Sequence, residues 1–306
     1  MNPTRGIAFK LGAVGLFISM ASLIKATADE VPPGQAVFFR SFFALPVIFV
    51  WLVVSGRVRD GLKTSNPLGH FWRGLVGTTA MGLGFAALGL LPLPEVTAIG
   101  YAAPLLVVIF AAMFLGERVR IFRLSMVAVG LCGVLIVLAP RLQIDPTGAT
   151  MAQTLGAVIA LLSAVFAALA HVFVRKLVQS ESTTSVAFWF SISAAVLSLL
   201  SLPWGWVWPS QANFTLLVLA GLLGGAGQIC LTTSYRLADA SMLAPFDYAS
   251  MLIAILVGYF VFAEVPSLKM RIGAAILIAA GVGIILRERH LGLERARQRR
   301  AVTPQG

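Results

Sequence analysis

Residues 101–117 read YAAPLLVVIFAAMFLGE, an apolar run without charge until its last residue, with Arg118, Arg120 and Arg123 close behind. Residues 248–264 read YASMLIAILVGYFVFAE and repeat the plan, with Tyr-Ala at one end, Glu at the other and the same spacing between them. The echo predicts a chain built twice, as two membrane-embedded halves with function between them.

The totals agree with a membrane setting. Of 306 residues, 58% are hydrophobic and 11% charged, and the mean hydropathy is +0.91. Soluble domains carry about 25% charged residues, so a water-soluble core of this length lacks the polar surface it needs. The formal net charge is +11. Most of that charge lies in short gaps between apolar runs and in the tail, where the positive-inside bias explains it without nucleic acid. Cys132 and Cys230 each lie inside an apolar run and read as packing residues. No cleavable signal is evident, because the first run holds Lys10 and Lys25 and no small-residue cleavage site follows.

A bilayer core about 30 Å thick takes roughly 20 apolar residues per helix. Ten such runs are expected, near 7–28, 34–54, 72–91, 95–115, 121–139, 153–174, 184–203, 212–234, 240–262 and 267–286. With the N-terminus cytoplasmic, the inner side gathers most of the Lys and Arg, and the outer side only Arg141, Lys269 and Arg271. Both termini are therefore expected inside. Five spans per half is odd, so the second half enters from the opposite side. The predicted class is an all-α polytopic membrane protein, with ten transmembrane helices as two inverted five-helix repeats. The expected boundaries are 1–141 and 142–286 for the repeats and 287–306 for a basic cytoplasmic tail.

These features resemble the EamA branch of the drug/metabolite transporter superfamily. The resemblance is carried by Phe114-Leu115-Gly116-Glu117 and its echo at Glu264. Further support comes from the stretch from Gln35 to Arg40 and the glycines around Gly281-Val282-Gly283. It implies a carrier with a central cavity between the halves and alternating access. The early lysine and the Phe-Phe-Arg of the second run are most similar to bacterial carriers of riboflavin or S-adenosylmethionine. The second half lacks a match to Arg40, and Val265-Pro266 stand where the first half has Arg118-Val119.

Ionisable side chains inside a span are costly and are functional candidates by default. Arg40 either faces the cavity, pairs with a carboxylate, or snorkels to the interface. Lys25 has the same choice, and Lys10, nearer the end of its run, reads as snorkelling. Asp247 either binds a proton, cation or polar substrate group, or makes a structural hydrogen bond. Tyr101 and Tyr248 hold equivalent places and offer a flat apolar face with a hydroxyl, suited to a ring-bearing substrate or to packing. Gln228 follows a glycine cluster and joins helices or faces the cavity. Trp189 stacks on a substrate or packs, and His171 reads as a satisfied polar residue. Glu117 and Glu264 end their helices, against the dipole. Their expected role is structural, with Arg118 or Arg120 compensating the first and Lys269 or Arg271 the second. Pro104 and Pro245 are expected to kink their helices.

No phosphate-binding loop, zinc-type cluster or nucleophile elbow is present in the sequence, so no enzyme and no cofactor is expected. The expected function is secondary transport of a small organic metabolite, riboflavin first, across the bacterial inner membrane. S-adenosylmethionine follows, then amino-acid or drug transport, and a passive channel is the rival of another class. The expected partners are a small-molecule substrate and the lipid bilayer, with a homodimer as the one protein partner considered.

Overall fold

A computed structural model describes residues 3–56, 58–115, 119, 121–141, 149–177, 180–237 and 243–302. Glu117, Arg118 and Arg120 lie outside the described residues. The chain folds as α1 (Pro3–Thr27), α2 (Pro33–Val54), a short α3 (Val58–Leu62), α4 (Pro67–Leu90), α5 (Leu93–Gly100), α6 (Ala102–Leu115) and α7 (Ile121–Leu138). Then come α8 (Ala149–Leu177), α9 (Thr183–Ser198), α10 (Gln211–Leu237), α11 (Ala249–Phe262) and α12 (Leu268–Val302). Among the described residues nine helical segments are long and apolar enough to cross a membrane, and the shorter Phe246–Phe262 supplies a tenth. The protein is a multi-pass, all-helical membrane protein, and its ten crossings match the ten apolar runs.

Local signals set the helix starts. Pro33 opens α2 where a missing N–H costs nothing. Asn66 caps α4 by accepting from the Gly69 amide at 2.9 Å, with Pro67 next. That cap starts α4 five residues before the apolar run at 72, so Arg73 lies two turns inside the helix. The fourth crossing is broken at Tyr101, between α5 and α6, three residues before Pro104. The ninth begins as a 3₁₀ segment, Ala244–Tyr248, around Pro245. Each proline lacks the N–H that a continuous α-helix needs there. The last helix does not end at 286 but continues to Val302 through the expected tail.

Helix pairing carries the signature of the inverted repeat. The first crossing packs on the eighth (α1 on α10), and the third packs on the sixth (α4 on α8), the same pairing with the halves exchanged. The second packs on the seventh (α2 on α9), and the fifth on the tenth (α7 on α12). The main seams therefore join the halves rather than dividing them. In the α7–α12 seam, a Cβ built on Gly273 would lie 2.6 Å from the Gly133 carbonyl oxygen and 2.5 Å from a Val137 methyl. Only glycine allows backbones that close. Outward faces are apolar, as Val54, Ile121 and Trp208 illustrate, which suits lipid contact.

We call the side where α1 starts and α12 ends the terminal face. There Glu181, in the turn before α9, accepts from the Thr64 hydroxyl at 2.8 Å and the Ser65 and Asn66 amides at 2.6 and 2.9 Å. Burial raises its carboxyl, but those donors together outweigh burial and hold it below its ordinary 4.5. A depressed carboxyl stabilises the fold above its unfolded-state value and loses that contribution as pH falls through the folded-state value.

Two outcomes follow. Gly273→Val should lower the detergent melting temperature, at a cost of about 1–3 kcal/mol of overpacking, with helix content unchanged by circular dichroism. Glu181→Gln should melt below the parent at neutral pH, and the gap should close as the pH of the melts falls through the lowered folded-state value of Glu181.

Candidate functional site

Two lysines of α1 bolt the ninth crossing in place. Lys25 Nζ lies 2.9 Å from Glu264 Oε1 and donates to the Leu88 and Leu91 carbonyls at 3.0 and 2.8 Å. Glu264 Oε2 accepts from the Leu93 amide at 2.8 Å. The ammonium thus covers the C-terminal end of α4 and the carboxylate covers the N-terminal end of α5, where each sign is favoured by the helix dipole. Glu264 was expected to oppose its own helix and to need Lys269 or Arg271. Instead its chain turns at Ala263, in a left-handed conformation with φ 54°, and carries the carboxylate to another helix. Lys25 is not snorkelling, since it is tied to three partners.

Near the terminal face, Lys10 Nζ meets Asp247 Oδ1 at 2.6 Å, with side-chain exposures of 2% and 46%. Lys10, expected at the interface, is one of the most deeply buried side chains. The two pairs are 15 residues apart on α1, about 22 Å at the helical rise. A third pair lies on the face opposite the termini, where Arg141 grips Glu95 through two bonds of 2.9 and 2.8 Å and reaches Gln153 at 2.5 Å. It joins α5 to the start of α8.

Tyr101 and Tyr248 come together. Their rings stack with centroids 5.0 Å apart and planes 26° from parallel. The Tyr101 hydroxyl donates to the Asp247 carbonyl at 2.6 Å and also contacts the Ser250 hydroxyl. The Tyr248 hydroxyl lies against Gly281 of α12, where no Cβ fits. The pair stands where the fourth and ninth crossings are broken. In this structure the rings face each other, with no cavity between them.

Beside this column lies a cavity of about 360 Å³, lined chiefly by α4, α5 and α8, with Ala21 of α1 and Phe190 of α9. Its polar lining is Arg73, Thr97, Ser163 and His171. Thr97 and Ser163 donate to the Leu93 and Ala80 carbonyls at 2.8 and 2.7 Å, leaving lone pairs available. The Arg73 guanidinium lies over the Phe190 ring at 4.0 Å, and its Nε and Nη1 are buried without a hydrogen-bond partner. His171 is within electrostatic reach of Arg73 and Lys10, both towards the terminal face. At the other end Leu88 and Leu93 lie beneath the Lys25–Glu264 clamp.

The remaining predicted residues lie apart from this lining. Arg40 is buried at 7% exposure against Gly224 of α10 and Met20 of α1. It is neither at the interface nor paired with a carboxylate among the described residues. Trp189 packs with Phe188 and His70 in the α2–α9 seam; its neighbour Phe190 is the cavity residue. Gln228 is half-buried on α10, and its carbonyl accepts from the Thr232 hydroxyl at 2.8 Å. Sequence reasoning counted Arg73 only among the inner-side charges, read His171 as a satisfied polar residue, and passed over Ser163, Thr97 and Phe190. The Asn66-Pro67 cap was the signal that placed Arg73 inside its helix.

The chain matches the model of the EamA-like transporter family twice, over residues 4–139 and 154–287. It is 28% identical over 292 residues to an S-adenosylmethionine uptake transporter of Rickettsia bellii, covering 92% of this chain and 97% of that one. It is 26% identical over 283 residues to the pseudopaline exporter CntI of Pseudomonas aeruginosa, covering 91% and 95%. It is 27% identical over 294 residues to a riboflavin transporter of Rhizobium johnstonii, covering 94% of each. A protein of known crystal structure, 23% identical, superposes with a TM-score of 0.66 over 95% of this chain and 99% of that one, a likeness of fold alone.

Asp247→Asn should remove the carboxylate charge that lies 2.6 Å from the buried Lys10 ammonium. Because Asp247 is partly solvated, a loss of about 1–3 kcal/mol is expected, read as a lower detergent melting temperature. The double variant Lys10→Met, Asp247→Leu should recover most of it. Wild-type melting of Asp247→Asn would mean that the pair contributes nothing to stability.

Proposed function

Because this chain belongs to the EamA-like transporter family, whose members are transporters, we propose that it is a secondary carrier of a small organic metabolite working by alternating access. The observation that carries this reading is the mid-depth cavity, walled by helices of both halves. It is apolar over most of its lining and polar at a few points, as small-molecule sites are. The substrate occupies this cavity. Arg73, His171, Thr97 and Ser163 hold its polar part and Phe190 its apolar part. The Tyr101–Tyr248 stack stands at the break of the fourth and ninth crossings, outside the cavity lining, rather than forming the two sides of the site.

The pairing of the helices favours a particular division of moving parts. Helices α1, α2, α10 and α11 form one bundle, and α4, α5, α6 and α8 the other. Each bundle draws from both repeats, 1–141 and 142–286. The cavity lies along the border between them, and the bonds of the Lys25–Glu264 clamp to Leu88, Leu91 and Leu93 cross that border. Its closure supports access from the terminal face while the clamp holds. Lys and Arg crowd that face in sequence, which favours a cytoplasmic placement of both termini in a bacterial inner membrane.

S-adenosylmethionine and riboflavin, named for relatives 28% and 27% identical, are the first substrates to try. A continuous passive pore is disfavoured by the clamp at one end of the cavity. Proteoliposomes holding the purified chain separate the two. A carrier gives saturable uptake of labelled riboflavin or S-adenosylmethionine, accelerated by the same compound inside the vesicles. Flux that rises linearly with concentration and ignores the trans compound would replace the carrier with a pore.

A further inference from the structure

The cavity contains a cation with no carboxylate to answer it among the described lining residues. The lysines of α1 show what this chain does with buried cations elsewhere, since both are bonded to carboxylates. Arg73 is different. Its partner is the face of Phe190, which attracts the charge but accepts no hydrogen bond. Nε and Nη1 are left buried and unsatisfied, a costly state for a charged group. The guanidinium folds back over Gly77, where a Cβ would collide with Nη1, so the backbone itself leaves room for this pose. Arg40 lies near enough to repel Arg73, and it too has a buried Nε without a partner. Asp247 does not answer this charge, because Lys10 holds it.

We propose that the cavity binds the oxyanion of its substrate, a carboxylate or phosphate on a small apolar body, with Arg73 as the ligand that receives it. The guanidinium offers the planar donors that fit such an oxyanion, and the Phe190 ring fixes its plane. The lone pairs of Thr97 and Ser163 and the imidazole of His171 lie along the same wall for the rest of the polar groups. Phe85, Met81 and Leu88 receive the apolar body. This deepens the carrier reading by naming a substrate class, one that S-adenosylmethionine meets through its carboxylate and riboflavin, which has neither oxyanion, does not, and it rests on that reading only for the cavity being the substrate's.

The test reads binding without transport. The purified full chain in detergent is melted at constant ionic strength with phenylacetate, phenylacetamide or phenyl phosphate. Saturable stabilisation by an anion and none by the neutral amide is expected, and whichever anion acts names the oxyanion. In Arg73→Gln the half-saturating concentration should rise about tenfold or more, the worth of a charge-assisted bond. Arg73→Lys should keep part of the response. Gly77→Ala retains the charge but displaces the guanidinium, and should weaken the response as well; it carries the test if Arg73→Gln does not fold. A response to the amide equal to that of the anions, no response to either anion, or an anion response undiminished in the variants overturns the assignment. Anion-dependent stabilisation without counterflow refutes the carrier alone. Counterflow of a neutral solute that ignores Arg73→Gln refutes the oxyanion site alone.

Discussion

Two lysines on one helix hold this fold in register. Lys10 and Lys25 stand on α1 at the two ends of the ninth crossing and meet Asp247 and Glu264 there. Burying a charge is unfavourable unless a partner and hydrogen bonds compensate it, and the Lys25 site supplies both. Its ammonium covers carbonyls at the end of α4, and Glu264 covers the amide that opens α5. Each charge thus satisfies a backbone group that a helix end leaves over. The turn between α4 and α5, only Leu91 and Pro92 long, depends on a lysine from one helix and a carboxylate from the other half of the chain.

The same accounting separates the arginines from the lysines. A lysine places one compact charge, and both α1 lysines have found carboxylates. The guanidiniums of Arg40 and Arg73 are buried beside glycines without one among the described residues. An unpaired buried cation lowers stability, so a chain that keeps it gains something elsewhere. In Arg73 the compensation is partial, through Phe190, and the side chain lines a cavity.

The crossings were legible because a bilayer imposes a length and an apolar composition on every span. The repeat was legible because Tyr101 and Tyr248 stand at equal distances from Glu117 and Glu264. What hydropathy does not carry is the direction a side chain faces. Lys10 lies near the end of an apolar run, as a snorkelling residue would, yet points inward. Arg73 sits at the edge of its run, although the Asn66 cap places it two turns inside α4. Glu264 follows its helix in sequence, but the left-handed Ala263 sends it to the start of α5. Trp189 and Phe190 are adjacent and face different seams, a rotation of about 100° that no composition reveals. The meeting of the two tyrosines is a product of topology, since the inverted halves bring equivalent positions of the fourth and ninth crossings together.

The intertwining of the halves constrains how the molecule can move. If each repeat were a compact body, its closest seams would lie within it. Here α1 packs on α10 and α4 on α8, so sliding one repeat against the other would break the tightest packing in the protein. Interiors packed at crystal-like density do not deform continuously. Movement is cheapest along borders where few apolar contacts cross. Along α1 and α11, Ile18, Met20 and Ile24 share one apolar cluster with Ile253, Ala254 and Val257, and the two ion pairs stand near the ends of the crossing. An ion pair can part and be replaced by water as a path opens, whereas the glycine-backed seam of α7 and α12 cannot. The lysines that hold the ninth crossing in register thus supply ionic links that water can replace, beside apolar ones that it cannot.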